Sequence, residues 1–281
     1  MANVIDEREL ATRFILVANN ASVIYTDPAT DPYPSPNESI GLMIGVRNDL
    51  PAKIGVDNYD LGHALGVGIG GRAFISIACS NSPDLGGGPG AIKGGGVTMV
   101  SATAPAGNAF DLGVFCHELG HWCGADHAFN GKTRDGCQRN RNPSTAWEVG
   151  SGSTIMAYPG ICDTDNSVTN FDLRFNVGSL GQIVARLGTG SGASCASPAA
   201  TGNAPPAVSA GPTLTIPRNT PFQLTATGSD ADGDGRDTIG AFRVIGQSAQ
   251  LFLSNANVSG PLPAPINYGL GSDRPVVGKW Q

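Results

Sequence analysis

Residues 117–127 read His-Glu-Leu-Gly-His-Trp-Cys-Gly-Ala-Asp-His, and their three imidazoles, the carboxylate of Glu118 and the glycine at 124 stand at spacings that each have a geometric reason. His117 and His121 are four residues apart, so on an α-helix they project from one face and can grip a single metal ion. His127 arrives as a third ligand and leaves one coordination position open for water. That open position separates a catalytic zinc site from a structural one. Glu118 adjoins the first ligand and is placed to hold the water rather than the metal. Gly124 tolerates positive φ, so the helix can end there and the chain can turn beneath the ion. A zinc site with a downstream glutamate as third ligand is disfavoured, because His127 already fills that place.

Those side chains need a helix, a floor and a wall. Asp111 is a good N-cap for a helix over residues 112–123, and Phe115, Leu119 and Trp122 would anchor it in the core. A final helix is expected over residues 179–187, with Ile183, Val184 and Leu187 packed under the first. Residues 97–100 read as a short strand, and residues 74–78 as a β-rich one. Residues 24–33 are rich in turn formers, the 81–96 stretch is dominated by glycine, and 130–147 is polar and irregular. The apolar run 40–46 fits either a helix or a strand end. His63 lies outside the motif and reads as a hydrogen-bonded structural histidine.

Downstream, residues 151–158 read Ser-Gly-Ser-Thr-Ile-Met-Ala-Tyr. Taken with His-Glu-x-x-His-x-x-Gly-x-x-His, this run resembles the metzincin metallopeptidases, and most closely the reprolysin or adamalysin branch with its secreted bacterial members. The resemblance covers residues 10–195 and is most specific at the helix and the turn. It implies an α/β (α+β) catalytic domain: a twisted mixed sheet, an active-site helix and a C-terminal helix. It also implies one catalytic zinc ion held by His117, His121 and His127, with Glu118 as general base. Met156 matches the methionine under the imidazoles, and Tyr158 matches a tyrosine placed near the metal. Residues 71–79 (GRAFISIAC) match the edge strand that holds an extended peptide substrate, and residues 158–161 the wall of the specificity pocket. The family pattern pairs Cys79 with Cys195. Cys137 and Cys162 flank the segment between the third ligand and the turn, where a bond would brace that wall. Cys116 and Cys123 depart from the pattern and read as buried thiols. Spacing alone leaves fifteen connectivities open for six cysteines.

Composition frames this reading. The chain has 281 residues, 40 glycines, 20 prolines, 14% charged residues and a net charge of −6, a loop-rich composition that argues against nucleic acid and anionic membranes. No run is apolar enough to span a bilayer. Six cysteines and the resemblance point to secretion, yet MANVIDEREL lacks a signal pattern. Residues 5–14 resemble only the end of the family's first helix, and residues 14–18 (FILVA) its second strand. The N-terminus is therefore expected to be incomplete, with the first strand missing.

Residues 1–195 are expected to form the peptidase domain and residues 196–206 a Pro/Ala linker. Residues 207–281 are expected to form a partial immunoglobulin-like β-sandwich, with strands near Leu214/Ile216 and Phe222/Leu224. Beyond Arg236 the alternation fades. The run 230–235 (DADGDG) imitates a calcium loop, but its twelfth position is Ala241 where a glutamate is needed, so a solvated turn is expected. Two functional readings follow. One is a secreted zinc metalloendopeptidase acting on proteins and peptides, with the C-terminal module free to bind a surface or polymer. The other is a non-catalytic adhesion or binding protein carrying a remnant peptidase domain.

Overall fold

The computed structural model describes residues 2–33, 36–82, 92–101, 109–188 and 191–199, then 207–209, 211–213, 215–223, 225–229, 239–245, 248–254 and 266–270. The chain divides into two compact units, Met1–Pro198 and Ala199–Gln281.

In the first unit, β1 (His63–Val67) runs parallel to β3 (Gly96–Val100), and β2 (Gly70–Ala73) pairs antiparallel with the other side of β3. The order β1-β3-β2 puts β3 in the centre, and its Val97, Thr98 and Met99 are accordingly buried. Helix α2 (Ser39–Lys53) settles the ambiguous run 40–46 as helix. Its buried Leu42, Met43, Val46 and Leu50 recur at helical spacing and cover the Ala64, Val97 and Met99 side of the sheet. Helix α3 (Ala109–Trp122) carries the first two histidines, and buried Trp122 and Leu119 fasten it against Ile77. Helix α5 (Val177–Gly188) packs Ile183 and Leu187 into a second core with Cys116, Cys123 and Met156. N-terminal α1 (Ala2–Leu10) adds Ile5 to that core.

Several expectations are corrected. Residues 14–18 form no strand: Ile15 and Leu16 are 81% and 79% exposed, and the segment is held by hydrogen bonds between the Asn3 side chain and the Phe14 backbone and from the Asn20 N–H to the Val17 carbonyl. The strand expected over 71–79 stops at Ala73, because Ser76 and Cys79 take positive φ values of 63° and 64°. Beyond it, Ser76 and Ala78 donate their N–H groups to the His121 and Trp122 carbonyls, so this stretch caps α3 instead of extending the sheet. Arg186 of α5 then donates to the carbonyls of Ser76 and Ala78. Asp111 is not the N-cap. It lies within the first turn of α3, where its carboxylate accepts the Ser101 N–H at 3.0 Å and ties the helix to the end of β3. The 130–147 stretch is not wholly irregular, since it holds α4 (Asp135–Asn140). Val184 is 59% exposed, one residue off the buried stripe set by Ile183.

The pairings Cys79–Cys195 and Cys137–Cys162 are both formed, and Cys116 and Cys123 are buried free thiols. No helix among the described residues is long and apolar enough to cross a membrane.

The second unit holds a two-stranded antiparallel pair, β4 (Ala207–Ser209) with β5 (Thr227–Ser229), and a three-stranded antiparallel sheet. That sheet is β6 (Ile239–Ile245), β7 (Ser248–Ser254) and β8 (Ile266–Leu270), in the region where alternation fades in the sequence. Ile216 and Phe222, expected in strands, lie outside the β4–β5 pair; Leu214, Leu224 and the 230–235 run lie outside the described residues.

Candidate metal centre

Helix geometry delivers His117 and His121 to one side of α3, with ring centroids 4.7 Å apart. The helix then ends in a Schellman turn. The Ala125 N–H reaches the Gly120 carbonyl, the Gly124 N–H reaches His121, and Gly124 takes φ of +102°. A side chain there would be strained and would meet the Arg186 Cβ at 2.9 Å. The turn swings His127 back to its partners, and one ligand atom from each of the three imidazoles lies within 4.8 Å of the others.

Each ring is oriented by a backbone carbonyl. His117 Nδ1 lies 2.6 Å from the Ile155 oxygen, His121 Nδ1 2.7 Å from Ala125 and His127 Nδ1 2.6 Å from Asn140. A carbonyl can only accept, so all three rings carry their proton on Nδ1 and present the Nε2 lone pair. His121 Nε2 and His127 Nε2 are 3.1 Å apart with no proton between them. Two lone pairs so close repel unless a cation lies between them. The spacing is near the roughly 3.3 Å expected for tetrahedral ligands about 2.0–2.1 Å from zinc. Burial, the first cause for each ring, pushes all three imidazoles below their ordinary pKa, His127 to about 3, so they are neutral and ready to ligate. Zinc therefore fits this donor set.

Met156 is fully buried beneath, and its carbonyl accepts the Ala128 N–H at 2.8 Å, tying the turn to the third ligand's segment. Tyr158 stacks on Phe129 at 4.4 Å, with His127 4.8 Å and His117 5.6 Å from its ring. Glu118 is 4% exposed and its Oε2 has no hydrogen-bond partner. Desolvation pushes its carboxyl up to about 8, with nearby Arg72 acting the other way. A dication at the imidazoles would act in the same sense as Arg72 and favour the carboxylate. Strand β2 passes so close that a Cβ on Gly71 would fall 2.4 Å from Glu118 Oε1. The Tyr158 phenol is pushed above its ordinary range by burial and then by the Glu118 charge, so it stays a hydrogen-bond donor. His117, His121, His127, Glu118, Met156 and Tyr158 thus lie around one place.

A sequence model of the reprolysin-like metallopeptidases, family M12B, matches residues 1–186. The chain belongs to this family. No curated protein matches the chain significantly.

This reprolysin-like site also depends on residues that its motif does not contain. Glu148 accepts the Ser153 N–H at 2.8 Å, the Thr154 N–H at 3.1 Å and the Thr154 hydroxyl, so one carboxylate holds the start of the methionine turn. The only sequence signal is an acidic residue five and six positions ahead of Ser and Thr donors. From α1, Glu9 accepts the Phe175 N–H at 2.6 Å. The Arg174 carbonyl in turn accepts the Ile155 N–H, and the Ile155 carbonyl orients His117. Nothing in the sequence marks that relay. His63 stands apart as a structural histidine, 2.8 Å from Thr98 Oγ1 and edge-on to Trp122.

Proposed function

We propose that this chain is a secreted zinc metalloendopeptidase that cleaves extended segments of extracellular proteins. The observation that carries the proposal is the trio of Nδ1-anchored imidazoles beside a buried carboxylate with a free oxygen. Zinc, when bound, supplies a Lewis acid that polarises a scissile carbonyl and acidifies water. His117, His121 and His127 would hold it, and their carbonyl partners would keep them aimed. Glu118 would take the proton of the attacking water at Oε2 and deliver it to the leaving amine. The protonated Tyr158 phenol would donate to the developing oxyanion. Among the described residues β2 pairs only with β3, so its other edge is open to a substrate strand beside Glu118. The wall after Met156, stapled by Cys137–Cys162, would shape the primary specificity pocket. Two disulfides favour an oxidising, extracellular setting. A purely adhesive protein would have no use for a desolvated Glu118, which weighs against the binding-only reading.

The test is cleavage of a mixed peptide library by the full chain. Activity that a chelator removes and zinc restores, and that Tyr158→Phe weakens, is expected. Stoichiometric zinc without any cleavage would overturn the proposal.

A further inference from the structure

The three ligands are not held alike. Carbonyls buried next to the helix and the methionine turn fix His117 and His121, whereas His127 leans on the carbonyl of exposed Asn140, the last residue of α4. That carbonyl is itself placed by its neighbours. Arg141 Nε donates to Asn130 Oδ1 at 2.7 Å, and Asn142 Nδ2 donates to Asp126 Oδ2 at 2.6 Å. The other Asp126 oxygen accepts the His127 N–H at 2.6 Å. Residues 140–142 are thus clipped at three successive positions to the stretch that carries the third ligand. The same helix is tethered from beneath by Cys137–Cys162.

We infer that Arg141 and Asn142 are positioning residues for the third metal ligand, setting zinc affinity by holding the Asn140 carbonyl against His127. The inference rests on the proposed zinc centre and adds to it the element that tunes the metal. Without the two clips the carbonyl swings away, water competes for Nδ1, and His127 no longer arrives prepaid in tautomer and orientation. Losses of this kind are about 10- to 100-fold in metal affinity.

Asn142 allows a clean test, because its Oδ1 also accepts the Ser144 N–H at 2.9 Å. Asn142→Asp keeps that turn contact, removes the donor to Asp126 and sets a second carboxylate against it. Its added negative charge would by itself favour a cation, so a loss of affinity reports geometry. Zinc affinity is measured on the full chain by competition with a chromophoric chelator, and cobalt(II) absorption reports ligand geometry. The expected result is at least ~10-fold weaker zinc binding for Arg141→Ala combined with Asn142→Asp, with an altered cobalt spectrum. Arg141→Lys, which keeps a donor, recovers part of the loss. Arg139→Ala, which breaks only the exposed Arg139–Asp135 pair on the same helix, changes neither readout. Equal zinc affinity and an unchanged spectrum in the double variant would overturn the inference while leaving the zinc centre intact. An unmodified chain that binds no zinc would overturn both. Should the double variant fail to fold, the single Asn142→Asp protein answers the same question, and an unchanged affinity there overturns the role of that clip.

Discussion

Two halves of the candidate metal centre are held in different ways. The half on α3 is rigid because a buried helix is rigid: Trp122 is 1% exposed and the Ile155 and Ala125 carbonyls that aim His117 and His121 are out of water. The half on the loop adds polar clips, one disulfide and a six-residue helix to a small cluster in which Phe129 and Tyr158 pack against His127, and the hydrogen bond that orients this ligand is exposed. Buried apolar packing resists local opening, whereas exposed hydrogen bonds exchange readily with water. His127 is thus the imidazole whose aim depends on a contact open to water.

The sharpest way to break the contrast is to damage the rigid half. Trp122→Ala should remove about 3–5 kcal/mol of stability in denaturant titration, because the cavity it leaves lies between α3 and the sheet. Next comes the loop half. Cys137→Ser with Cys162→Ser should cost about 2–4 kcal/mol, with proteolytic nicking near α4 before the core unfolds. Gly124→Ala at the junction of the halves should cost about 1–3 kcal/mol through its positive φ. A smaller effect, seen only in acid, sharpens the rigid half further. Burial holds His63 neutral down to about 3, against an ordinary value of 6.5. The unfolded chain therefore binds that proton first, and stability falls as pH drops from 6.5 toward 3. Asp6, pushed up to about 7 mainly by burial, acts in the opposite direction. The informative quantity is thus the difference between the unmodified protein and His63→Gln, whose stability should depend less on pH in that window.

The same contrast explains what could be read from sequence. The grouping of His117, Glu118, His121 and His127 was legible from their spacing along one helix and its closing turn, and that of Met156 and Tyr158 from family resemblance. The disulfides were legible through family resemblance alone. Asn140, Arg141, Asn142 and Glu148 were not, because they act by reaching across loops, and no periodicity records which carbonyl a loop will offer. Residues 14–18 and 74–79 misled for a related reason. Both are rich in β-formers, but strand propensity expresses itself only where a partner strand lies alongside, and here helix α3's open carbonyls claim the second stretch instead. Helix α2 could not be told from a strand until its buried face was visible against the sheet.

The most direct measurement compares the full chain with Glu118→Gln after both are loaded with zinc. Equal zinc content with peptide cleavage reduced at least ~100-fold in the variant is the expected result, since the three imidazoles would be untouched and only the proton acceptor removed. Cleavage at the unmodified rate by a zinc-loaded Glu118→Gln protein would contradict the account.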